Sequence, residues 1–280
     1  MIDLKAPNLN LAPVLSSPHF GSGQSDRFLV IRPVGGLAGD IIVAGLLSLA
    51  EATPADLEQF LDDLNLGALA GRVTLIERWV KQIGGVSLAV DLPEEFEHRN
   101  LKDIEDFFAA TRLTEVARAM AIGTFRLLAE VEGSVHGLAP SEIHFHEVGA
   151  LDSLLDIGLA ALLVNRLAIS RIICGPLPLC DGVIKCWHGW LPSPAPAVLK
   201  LLTGVLVIGR AGFGETVTPT ALALLKSLGA EFGPWPLMLV EHQTLVYGTK
   251  IFDEAPNGTI FALGRAYDSG FVSPIGEIHP

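Results

Sequence analysis

The stretch that most restricts the fold is RFLVIRPVGGLAGDIIVAGLLSLAEA, residues 27–52. An uninterrupted apolar run at 28–31 suits a buried strand, and Gly35, Gly36 and Gly39 break it into a turn. An apolar helix follows from Asp40, which is placed to cap it. Such a strand, turn and helix unit must be covered on several sides, so it commits the chain to a layered body. Glycines let a backbone approach an anion closely, and the helix start adds partial positive charge. Gly35, Gly36, Gly39 and Asp40 are therefore expected to form a phosphate cradle.

The rest of the chain alternates in the same way. Residues 54–64 predict a short helix, and two β-patterned runs within 72–91 predict a hairpin turning at Gly84 and Gly85. Helical spacing returns at 101–112 and 114–135, where Val116, Met120, Leu127, Leu128 and Val131 mark the expected buried face and Gly137 the stop. A helix at 152–168, a β-like run at 171–174, a proline-started helix near 196, a strand at 205–209 and a helix opened by Thr218 and Pro219 complete the pattern. These elements predict an α/β fold, a mixed, partly parallel sheet with helices on both faces and an inserted β-hairpin. Residues 1–26, rich in Pro, Ser, Asn and Gly, read as a flexible N-terminal lead, and 27–280 as one core domain.

Composition narrows the partners. The chain of 280 residues is 50% hydrophobic and 18% charged, with a net charge of −12. That balance supports a large core and disfavours nucleic acid as a partner, because no basic run offsets the negative average. The apolar stretch at 154–174 carries Asp156, Asn165, Arg166 and Arg171, which argues against a membrane span. No signal-peptide pattern opens the chain, so a cytoplasmic location is expected. Cys174, Cys180 and Cys186 lie six apart with no CxxC, a spacing that predicts reduced thiols.

The chemistry concentrates in IHFHEVGALDS, residues 143–153. In an extended chain His144 and His146 share one face while Phe145 points to the other, into the core. Glu147 follows directly, and Asp152 and Asp156 sit one turn apart on the next helix, able to present carboxylates back to the imidazoles. His188 follows Cys186 by two positions in a Gly/Pro-rich stretch, and His98 closes the hairpin segment. His144, His146, His188, Cys186 and His98 are the candidate metal ligands, a donor set that suits nickel, cobalt or zinc better than magnesium. Hydrogen-bonded strand-end histidines with a purely structural role are the alternative.

The stretches GGLAGDIIVAGLLSL, HRNLKDIEDF, AEVEGSVHGLAPSEIHFHEVGALDSLLDI, PLPLCDGVIKCWHGWLPSPAPAVLKLL, ETVTPTALALL and LVYGTKIFDEAPN run in order from 28 to 263. In these motifs the chain resembles the LarC-type nickel insertion family, which places nickel in the nickel-pincer nucleotide used by lactate racemase. The resemblance implies a CTP-dependent cyclometallase, using CTP with Mg(II) or Mn(II), that inserts Ni(II) into pyridinium bis-thiocarboxylic acid mononucleotide. On that reading His144 and His146 hold or hand over the metal, and Glu147 and Asp152 orient them or accept the proton lost from the ring carbon. The glycine turn takes the phosphate, aided by Arg32. Arg32, Pro33, Ala38, Asn100 and Ala221 depart from the family pattern, as does the absence of the usual C-terminal, CTP-associated domain. A separate C-terminal-domain subunit is thus an expected partner, alongside a homo-oligomer. Two other functions stay open: a non-catalytic nickel or cofactor carrier or regulatory paralogue, and a metal-dependent hydrolase of phosphorylated substrates.

Overall fold

The computed structural model describes residues 27–93, 99–145, 151–186, 188–210, 212, 214–253 and 256–267. The chain runs through β1 (Arg27–Pro33), α1 (Gly39–Leu49), α2 (Pro54–Asp63), β2 (Val73–Val80) and β3 (Ile83–Val90). It continues with β4 (Arg99–Asn100), α3 (Leu101–Ala109), α4 (Glu115–His136), β5 (His144–Phe145) and α5 (Leu151–Arg166). Next come β6 (Ile169–Cys174), β7 (Leu177–Cys180), β8 (Val183–Cys186), β9 (Gly189–Pro192), α6 (Pro196–Leu201) and β10 (Val207–Arg210). Helix α7 (Pro219–Ser227) and strands β11 (Glu231–Phe232), β12 (Met238–Val246) and β13 (Thr259–Ala266) complete the described residues.

Seven strands form one sheet in the order β11-β6-β1-β13-β12-β3-β2. Strand β1 is parallel to β6 and antiparallel to β13, so the sheet is mixed as expected. Leu29 and Ile31 face a large core that also takes in the buried residues of all seven helices. The other face of β1 presents Phe28 and Val30, which join Ile173, Ala262 and Met238 in a small cluster made of strand residues. The described helices and this mixed sheet make the α/β fold that was expected. The small cluster is roofed by a side chain: the Arg171 guanidinium lies 4.8 Å from the Phe28 ring centre and makes two hydrogen bonds to Glu231.

Two local expectations shift for physical reasons. The hairpin turns at Lys81 and Gln82, both at positive φ, with Trp79 opposite Gly84 and Val80 opposite Ile83. Gly85 instead serves close packing in the sheet: a Cβ there would meet the Leu245 carbonyl oxygen at 2.5 Å. On α4 the buried stripe is Ala117, Ala121, Phe125 and Leu128, while Val116 is 53% exposed. Small residues turn this face inward because α5 and α7 pack close against it, and Thr124 and Ser227 satisfy each other's hydroxyls at 2.6 Å.

The core also fixes the ground on which the polar residues stand. Phe108, Phe125 and Phe145 form a chain of rings with centres 5.8 and 6.1 Å apart. Burial of Phe145, worth about 1.5–3 kcal/mol for a side chain of this kind, pins β5 to α4 and leaves His144 exposed on the opposite face. Among the described residues, no helix is long and apolar enough to cross a membrane.

Candidate functional site

Element ends converge beside β5. The last turn of α4 brings Glu132 and His136, β5 brings His144, the first turn of α5 brings Asp152, and the tip of the β8–β9 hairpin brings His188. With the starts of α6 and α7 they enclose a cavity of ≈ 780 Å³. Each helix stops or starts here for a local reason. Helix α4 ends at Gly137, whose φ of 71° continues the chain in a conformation that glycine tolerates. Helix α7 begins where the Thr218 hydroxyl accepts a hydrogen bond from the Ala221 amide, with proline next in line.

The side chains on the wall are polar and paired. The His136 and His188 ring centres lie 4.9 Å apart, and His136 Nε2 is 3.5 Å from Glu132 Oε2. Asp152 Oδ1 accepts a hydrogen bond from the Ser153 amide at 2.7 Å. One turn deeper on α5, Asp156 has its carboxyl pushed well above the usual carboxylate range, first by burial and then by the negative charges of Asp40 and Asp152. Burial likewise raises Asp40, against hydrogen bonds from the Ile41 amide and its own. Placing full negative charge on Asp40, Asp152 and Asp156 together is therefore disfavoured.

A second, smaller cavity of ≈ 210 Å³ lies at the glycine turn and shares Glu215 and Thr218 with the first. Gly35, Gly36 and Asp40 line it together with Lys250 and Asn257. Much of the turn's hydrogen-bonding capacity is spent within the protein. The Gly35 amide donates to the Gly258 carbonyl, the Leu37 amide to that of Thr216, and the Thr259 hydroxyl to that of Gly36. Gly36 combines φ 133° with a hypothetical Cβ 2.5 Å from the Thr216 oxygen, so its glycine is required by packing alone. The N-cap of α1 is Ala38 rather than Asp40, whose carboxylate sits within the first turn and turns back on that turn's amides.

The expected residues fall into three groups. His144, His188 and Asp152 share the larger cavity, and Gly35, Gly36 and Asp40 the smaller one. Gly39 lines neither and packs against Asp156. Arg32 also lies outside both linings: its guanidinium crosses Gly175 and donates to the Gly233 carbonyl at 2.8 Å. His98, His146 and Glu147 lie outside the described residues, as does the Cys186 side chain, although the Cys186 backbone pairs with Gly189 at the hairpin tip. The covalent neighbours of His98 and His146 are nonetheless partners, because Arg99 pairs with Phe145 across β4 and β5. Cys174 is buried, and burial pushes its thiol up to about 12, which keeps it protonated and unreactive. Among the described residues, no group of three His, Cys, Asp or Glu side chains is arranged to hold a metal ion.

Sequence reasoning passed over Glu132, His136 and Lys250. Their spacing of four on one helix made Glu132 and His136 visible as a pair. Lys250 belongs to a loop with no periodicity, and its Nζ donates to the Glu215 carbonyl at 3.1 Å, which sequence does not reveal.

The described residues thus form a mixed α/β body with a histidine- and carboxylate-lined cavity beside a glycine turn. The chain belongs to the nickel insertion protein family, whose match covers residues 29–269. It is 40% identical over 243 residues to a nickel insertion protein of Myxococcus xanthus, covering 85% of this chain and 61% of that one. A relative from Geotalea uraniireducens is 38% identical over 231 residues, covering 82% and 59%. A Staphylococcus epidermidis protein named pyridinium-3,5-bisthiocarboxylic acid mononucleotide nickel insertion protein is 33% identical over 218 residues, covering 78% and 54%. The chain thus spans between 54% and 61% of the length of these relatives. No solved structure matches it.

Proposed function

We propose that this chain brings Ni(II) and a pyridinium bis-thiocarboxylic acid mononucleotide together for formation of a nickel–carbon bond. The observation that carries the reading is the ≈ 780 Å³ cavity, of the size that takes a mononucleotide, with His144, His188 and Asp152 in its lining. Nickel is the cargo here. His144, joined by His146, Cys186 and His98 in sequence, supplies borderline donors, and the thiocarboxylate sulfurs of the substrate supply softer ones.

Insertion replaces a ring hydrogen by nickel. The ring C–H bond breaks, its electron pair forms the nickel–carbon bond, and the proton leaves to a base. Asp152 on the cavity wall, and Glu147 beside His146 in sequence, are the carboxylates for that proton. Asp156, which holds a proton more readily, limits the negative charge behind Asp152. The phosphate of the substrate takes the smaller cavity, against Lys250 and the Gly35 and Gly36 backbone. Asp40 and Glu215 beside Lys250 do not suit the triphosphate of CTP. Activation by CTP with Mg(II) or Mn(II) therefore belongs outside this smaller cavity.

The test is linkage between the two ligands. Nickel held by imidazole and bridged to sulfur should tighten binding of the mononucleotide, and the mononucleotide should tighten nickel by the same factor. Calorimetry should show this coupling in the wild type and its loss in His144→Ala/His146→Ala. Equal coupling in the variant would overturn the reading.

A further inference from the structure

Glu132 and His136 line the same cavity as His144 and His188 but have no part in the insertion step above. We infer that His136 and His188 form a second nickel-holding point on the cavity wall, from which the ion passes to the insertion position, with Glu132 as the residue that orients His136. This rests on the nickel-handling reading above.

Two imidazoles bound side by side to one divalent ion, through metal–nitrogen bonds of about 2.1 Å, bring their ring centres to roughly 4.5–5 Å. The separation of 4.9 Å between His136 and His188 meets that requirement before any ion arrives. The Glu132 carboxylate, 3.5 Å from His136 Nε2, favours the proton on that nitrogen and leaves the Nδ1 lone pair for the metal. A carboxylate behind an imidazole is the usual support of a histidine ligand. His188 comes from an exposed hairpin tip and His136 from the exposed end of α4, so both donors can be reached by an ion from solvent. Two protein donors suit a cargo ion, because the remaining coordination positions stay open for water and then for the sulfur ligands that take the ion away. The lack of a three-residue metal group among the described residues fits a point of exchange better than a permanent site.

The experiment titrates Ni(II) alone into the full chain and into variants whose folding is checked by thermal melting. The wild type should take up two ions and His144→Ala/His146→Ala one. Adding His136→Asn to that double variant should weaken the remaining site by about tenfold or more, and Glu132→Gln should weaken it less. His188→Asn, at the exposed tip, repeats the test if His136→Asn fails to fold. If the double variant binds no nickel while His136→Asn and His188→Asn bind as the wild type does, the inference is overturned and the proposed function stands. If the wild type binds no nickel, both fall.

Discussion

The carboxylate of Asp156 on α5 occupies the space that a side chain at Gly39, the first residue of α1, would fill. A Cβ at position 39 would come within 2.9 Å of Asp156 Cγ. This contact joins the glycine turn to the helix that carries Asp152. Gly39→Ala should destabilise the fold by about 1–3 kcal/mol, the usual range for overpacking. Asp156→Ala should relieve much of that loss, and chemical denaturation of both single variants and the double variant measures it. Additive effects would mean that the two residues do not oppose each other.

The raised carboxyl of Asp156 predicts a pH dependence of stability. The folded chain holds this proton more tightly than the unfolded chain, whose value stays near 3.8. The associated stability is full below the unfolded-state value and is lost as pH rises through the raised folded one. Asp156→Asn cannot ionise, so its melting temperature relative to the wild type should climb as pH rises from 3.8 through the raised folded-state value. An offset independent of pH would remove Asp156 from the linkage.

The β2–β3 turn gives a prediction independent of the site. Lys81 and Gln82 have φ of 48° and 69°, a two-residue turn that asparagine and glycine fit better. Replacing the pair by Asn-Gly should stabilise the chain without changing the hairpin, because left-handed backbone costs an ordinary residue about 1–2 kcal/mol. A loss of stability would place the turn elsewhere.

Much of the architecture could be read from periodicity and punctuation. Thr114, Gly137, Thr218 and Pro219 bound their helices where capping rules put them, and Phe145 points into the core as strand alternation requires. Legibility failed where tertiary proximity overrode local preference. Gly84 and Gly85 look like a turn but lie in a strand, Gly85 against a neighbouring carbonyl, and Ala117 and Ala121 are buried where larger Val116 is not. At the site, the His144, Asp152 and His188 grouping followed from motif and spacing. The His136 to His188 proximity arises from the meeting of a helix end and a hairpin tip more than 50 residues apart, and no local pattern encodes it.

Turnover separates insertion from carriage. The residues that line the two cavities should bind nickel and the mononucleotide. Nickel–carbon product, read by absorbance and mass after addition of CTP with Mg(II) or Mn(II), would show insertion. Binding without product, with or without the remaining part of a longer relative, would favour a carrier.

The central claim is that nickel and the pyridinium substrate meet in the ≈ 780 Å³ cavity. Crystals of the chain soaked with Ni(II) and the mononucleotide, with diffraction recorded at the nickel absorption edge, test it directly. The account predicts an anomalous peak inside the cavity, within bonding distance of imidazole nitrogen from His144 or His188 and with Asp152 facing the pyridinium ring. Nickel bound on another surface, with the mononucleotide away from this cavity, would contradict it.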